Sequence, residues 1–264
     1  MRKITLGALV ASAAFAVASP AAAQTCVGEC GSAAPNGDVT APPEYGPNYS
    51  YVSTRNGQTG AGQIDGVGGT DGSEYTTAAF SASAGDELNF YFNYITSDGA
   101  GFADYAFAQL LSAAGDPVAY LFTARTRPTG DTSPGFGLPA NSATLTPITS
   151  EIVSGAPDWA QLGGNSGDCF AAGCGYTGWI NSSYTIGADG SYTLKFGVSN
   201  FTDTAYDSGL AFAGLTIAGQ EIPTPGSGAV PEPATWMMLL LGFGAIGGLM
   251  RRRPKQGKTT VSFA

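Results

Sequence analysis

The chain has 264 residues, of which only 12% are charged, and it contains 39 glycines, 16 prolines and no histidine. The charged share is about half that of an ordinary globular protein. The lack of histidine excludes Ser-His-Asp and Cys-His catalysis within the chain and removes the commonest general base and zinc ligand. Between Gln24 and Val230 only Arg55, Arg125, Arg127 and Lys195 face 19 acidic residues, a net charge of −15 against −9 for the full sequence. Such a surface repels phosphate, so nucleic acid is not an expected partner.

The N-terminus reads as an address. Arg2 and Lys3 precede an apolar run from Ile4 to Ala18, and Ala21-Ala22-Ala23 supplies the small residues that signal peptidase accepts. Residues 1–23 are therefore expected to be a signal peptide, cleaved before Gln24. Residues 24–48 form an extension ahead of the first domain. Its cysteines, Cys26 and Cys30, together with Cys169 and Cys174, enter an oxidising compartment. Disulfides are expected there. Cys169–Cys174 and Cys26–Cys30 are the favoured pairs, although spacing alone leaves two other pairings open. Neither pair has the Cys-x-x-Cys spacing of a thiol-redox site.

Residues 49–219 read as one β domain. The clearest strand is 87–96, in which Leu88, Phe90, Phe92 and Tyr94 point one way and Asn89, Tyr91 and Asn93 the other. Further strands are expected over 102–111, 118–124, 183–186, 191–198 and 210–217, separated by Gly/Asp turns such as Gly115-Asp116 and Gly187-Ala188-Asp189-Gly190. Short strands so spaced predict an all-β fold, an antiparallel β-sandwich of jelly-roll type. Residues 125–137 and 156–178 lack periodicity and read as long surface loops.

Two sets of residues could carry binding. Asp98, Asp104, Asp203 and Asp207 lie in Gly/Ser/Thr-rich turns, where carboxylates and backbone carbonyls could hold calcium. No calcium-loop spacing is present, and turn capping by Asp side chains accounts for the same pattern. Tyr105, Trp159, Tyr176, Trp179 and Tyr206 could form an aromatic platform for sugar rings, though at least two are expected in the core. No two carboxylates are placed as a glycosidase requires.

The C-terminal region is the most specific. Residues 220–229, rich in Pro, Gly and Ser, form a short linker. Pro231-Glu232-Pro233 follows, then Trp236, an uncharged stretch from Ala234 to Met250, and Arg251-Arg252-Arg253. A helix over those 17 or so residues spans about 25 Å, near the lower limit for crossing a bilayer. The arginines would keep the tail, 255–264, in the cytoplasm. The ordered set over 230–254 resembles the PEP-CTERM sorting signal of Gram-negative bacteria, and Trp236 with the Gly242-Phe-Gly-Ala-Ile-Gly247 run resembles its alphaproteobacterial variant. The resemblance implies recognition by exosortase, a membrane-embedded peptidase, and association with exopolysaccharide systems. The middle of the chain resembles PEP-CTERM proteins of unassigned function through Phe90-Tyr-Phe-Asn-Tyr94, Gly101-Phe-Ala-Asp-Tyr-Ala106, Phe122-Thr-Ala-Arg-Thr126, Gly173-Cys-Gly-Tyr-Thr-Gly-Trp179 and Tyr206-Asp-Ser-Gly-Leu-Ala211. The expected protein is thus non-enzymatic, exported and membrane-anchored before sorting, then displayed at the cell surface or released to the matrix. The alternatives are a calcium-assisted carbohydrate- or exopolysaccharide-binding module and a hydrolase with an unrecognised site.

Overall fold

The computed structural model describes residues 23–225, 241–244 and 247. In chain order its strands are β1 (Thr25–Val27), β2 (Glu29–Ala33), β3 (Tyr49–Ser53), β4 (Gln58–Thr59), β5 (Asp71–Thr76) and β6 (Phe80–Ala82). Next come β7 (Glu87–Thr96), β8 (Tyr105–Ser112), β9 (Pro117–Arg125), β10 (Asp131–Ser133), β11 (Thr144–Thr146) and β12 (Ser150–Glu151). The last are β13 (Val153–Ser154), β14 (Gly175–Tyr176), β15 (Ile180–Thr185), β16 (Gly190–Ser199), β17 (Ser208–Ile217) and β18 (Gln220–Glu221).

Eight of these carry the fold. β3 pairs with β17, β5 with β16, β7 with β15, and β8 with β9, all antiparallel. First pairs with last and the nesting continues inward, which is a long hairpin rolled up. β17 also pairs with β7, and β16 with β8, closing two sheets of order β15-β7-β17-β3 and β5-β16-β8-β9. The architecture is the expected jelly-roll sandwich.

The inner faces follow the alternation seen in sequence. Leu88, Phe90, Phe92 and Tyr94 of β7 are buried against Leu194, Phe196 and Val198 of β16 and Ala106, Ala108 and Leu110 of β8. Phe92 stacks on Phe122 at 3.7 Å, and Phe196 on Phe212 at 4.0 Å. Burying side chains of this size contributes roughly 1.5–3 kcal/mol each before entropy is counted.

Strand limits differ from expectation where turns intrude. β8 starts at Tyr105 and not 102, because Gly99 O and Phe102 N close a turn and Ala103 takes φ 56°. β15 begins three residues earlier than expected, at Ile180, drawn into register with Phe92 of β7. The short hydroxyl-rich strands β3 and β5 are strands only by tertiary pairing. The 24–48 segment supplies an edge strand to each sheet, β1 against β5 and β2 against β3.

The outer face of the β15-β7-β17-β3 sheet is covered too. Trp159, Leu162, Val39 and Tyr49 pack there against Ile95, Ala211 and Ala213. Gly209 makes room for this: a Cβ there would stand 2.3 Å from the Trp159 ring.

Candidate functional site

The sorting residues Pro231, Glu232, Pro233, Trp236, Arg251, Arg252 and Arg253 lie outside the described residues, as does the 1–22 part of the expected signal peptide. Residues 241–244 are helical, with Leu241 and Phe243 exposed. Among the described residues no helix is long and apolar enough to cross a membrane.

Both favoured disulfides are present, Cys26–Cys30 and Cys169–Cys174. The first has a clear structural task. Cys26 lies in β1 of one sheet and Cys30 in β2 of the other, so the bridge ties the two sheets at their shared edge. Between them Gly28 turns with φ 79°, and a Cβ there would stand 2.2 Å from Ser73 Oγ.

The four aspartates gather at the end of the sandwich where β7 and β16 finish and β8 and β17 begin. Asp104 is fully buried; its Oδ1 accepts from Phe201 N (3.0 Å) and its Oδ2 from Ser208 Oγ (2.7 Å). Burial pushes its carboxyl up to about 8; its hydrogen bonds oppose the shift, and Asp98 and Asp203 nearby reinforce it. Asp98, also buried, accepts from Gly99 N (2.7 Å) and is pushed up by desolvation to about 6. Asp203 caps its own turn through Ala205 N (2.9 Å). Asp207 faces away from the other three, toward Thr54 Oγ1 (3.3 Å) and Asp71, and desolvation raises it to about 6.

These positions do not bring the four aspartates together as one ligand set. Among the described residues no group of three or more acidic or cysteine side chains is disposed to hold a metal. Both oxygens of Asp104 are taken by protein donors, and Asp207 belongs to a different contact. The nearby cation, Arg125, donates Nε to Ala103 O (3.0 Å) and lays its guanidinium over Phe201 at 4.3 Å.

The aromatic platform is corrected. Tyr105 and Trp159 are fully buried and cannot meet a sugar. Tyr105 OH donates to Gly68 O (2.6 Å), and Trp159 Nε1 donates to Tyr49 OH (2.9 Å). Half-buried Trp179 donates Nε1 to Thr40 O (3.1 Å) and meets Tyr49 edge-on. Tyr176 packs on the same outer cluster. Tyr206 stands apart from these four, 5.0 Å from Phe170. The five are thus divided among three places, because strand alternation and loop crossing send them to different faces.

Two features escaped the sequence reading. Phe170, half exposed, is held out by the Cys169–Cys174 loop and by its N–H to Ser97 O (3.0 Å), between Phe102 and Tyr206. At the other end of the sandwich a cleft of about 510 Å³ opens between the Tyr45–Ser50 segment and the end of β17, where it meets β18. Its only sequence signal is Tyr45 among prolines and glycines, which resembles any surface turn.

The body is therefore an all-β jelly-roll sandwich braced by two disulfides. Residues 229–253 match the PEP-CTERM protein-sorting motif. No curated protein matches it. One solved structure similar to it is the enzymatically active domain of tailspike protein 4 of bacteriophage CBA120, 12% identical, with a TM-score of 0.32. The match covers 74% of this chain and 18% of that one, so the chain spans less than a fifth of the tailspike structure. That likeness is too distant to bear on activity.

Proposed function

We propose that this is an exosortase substrate whose jelly-roll body acts at the cell surface or in the extracellular matrix by binding and bracing, without catalysis. The motif at 229–253 carries the reading: it marks a protein that is exported, held at the membrane and sorted by exosortase. Signal peptidase would remove residues 1–23, and exosortase would then release the body from its anchor. The build of the body supports a passive role. Its carboxylates Asp98 and Asp104 are buried, the first hydrogen-bonded to Gly99 N in its own turn and the second to Phe201 N and Ser208 Oγ, where no substrate reaches them. A general acid–base pair needs access to the bond it breaks.

The test is fractionation of the native host carrying an internal epitope tag in the 113–116 turn, with and without its exosortase. The tagged body is expected at the outer surface or in the medium, shortened at its C-terminus, and retained at full length in the inner membrane when exosortase is deleted. A body found in the cytosol with reduced thiols, or processed identically in the deletion strain, would overturn the proposal.

A further inference from the structure

We propose that the cleft beside Tyr45 is a binding site for a neutral sugar unit. It has a volume of about 510 Å³, within the range of small-ligand sites. Its lining contains no lysine or arginine and a single carboxylate, Glu221. An anionic ligand would find no counter-charge there, in a body of net −15. A cationic one would find only one exposed acid. Open to the cleft are the half-buried Tyr45 ring, Thr216 and exposed Asn48, over an apolar wall of Pro47, Leu215 and Ile222, while Ser50 and Thr224 are buried behind it and hydrogen-bonded to each other at 2.8 Å. A polyhydroxylated ring matches that set, since its C–H face stacks on an aromatic while its hydroxyls exchange hydrogen bonds with amide, hydroxyl and carboxylate.

The backbone around the cleft is shaped to hold Tyr45 in place. The pairing of β17 with β7 slips between Ala213 and Thr216, a bulge that re-aims the strand. Within it Gly214 takes φ 66°, and a Cβ there would lie 2.4 Å from the Tyr45 ring. On another side Tyr91 approaches the ring at 5.9 Å. Just before it Glu44, a residue with a Cβ, takes φ 62°. Left-handed non-glycine backbone costs about 1–3 kcal/mol and persists where surrounding structure over-determines it. The ring is thus positioned before any ligand arrives, which lowers the entropy cost of binding. Phe170 lies at the opposite end of β17, roughly 20 Å away by strand rise, so the two surfaces can be separated by mutation.

The experiment uses the full chain in detergent micelles against an array of neutral oligosaccharides (gluco-, manno-, xylo- and galacto-hexaoses), with polygalacturonate and chitosan as charged comparators, followed by calorimetry on the hits. At least one neutral glycan should bind, with affinity unchanged by EDTA. Tyr45→Ala should weaken it about tenfold, the weight of one stacked ring, while Tyr45→Phe keeps most of it. Thr216→Val, which leaves the ring in place, should weaken binding at least threefold if Tyr45→Ala fails to fold. Phe170→Ala should leave binding unchanged. Absence of any neutral hit, preference for a charged comparator, binding indifferent to both Tyr45→Ala and Thr216→Val, or loss with Phe170→Ala would each overturn the assignment.

Discussion

Asp104 illustrates what burial does to an ordinary turn residue. Its carboxyl has no exposure, two protein donors, and like charges at Asp98 and Asp203. Asp98, Asp104 and Asp207 all have folded-state pKa values above the unfolded value near 4. Their contribution to stability is present in full below about pH 4 and lost as pH rises, through about 6 for Asp98 and Asp207 and about 8 for Asp104. The melting temperature should therefore fall between pH 5 and pH 8. Asp104→Asn should flatten the upper part of that fall, and a steeper fall in the variant would contradict the account. Trp159 belongs to the same lesson. Its burial and its bond to Tyr49 OH predict a loss of about 3–5 kcal/mol in Trp159→Ala, measured by denaturant unfolding. Both residues were visible in sequence as candidates for binding. Whether an Asp or Trp in a loop faces ligand or core depends on what crosses over it, and local spacing carries no trace of that.

The strands that were legible are those whose own side chains alternate. In β7 the period of two from Leu88 to Tyr94 marks the buried face without help. β5, Asp71–Thr76, has no such pattern, and its place comes from the register with β16, where Tyr75 faces Phe196. The β17 bulge at Gly214 was equally hidden, because a glycine there looks like any other until Tyr45 is laid on it. Of the two disulfides, Cys26–Cys30 joins the sheets and Cys169–Cys174 acts locally. Cys169–Cys174 closes a six-residue loop, worth about 2 kcal/mol at most on the chain-entropy estimate. Cys169→Ser with Cys174→Ser should accordingly lower stability only modestly. Amide exchange should speed up at Phe170 and Ala100, whose N–H groups donate to Ser97 O and Ala172 O, and stay unchanged in β7 and β16. Protection lost across those strands would show that the loop holds more than itself.

The assembled protein joins two separable instructions. The body is made by nested pairings between residues as far apart as Ser53 and Gly209, which only long-range closure can bring together. The sorting segment at 229–253 works from a short stretch of chain. Replacing Arg251, Arg252 and Arg253 with Ala should leave the body's unfolding transition unchanged but weaken retention in the inner membrane, read as unprocessed protein in the medium. An altered melting curve in that variant would mean that tail and body are coupled. The linear order of a Pro-Glu-Pro triplet, an apolar run and an arginine cluster is a message along the chain, so sequence stated it outright, together with the fold class and the β7 face, and it favoured the cysteine pairs that the fold then closed. Which aromatics are core, which carboxylates are buried and where a cleft opens depend on residues that meet only after the hairpin has rolled, and folding alone settled them.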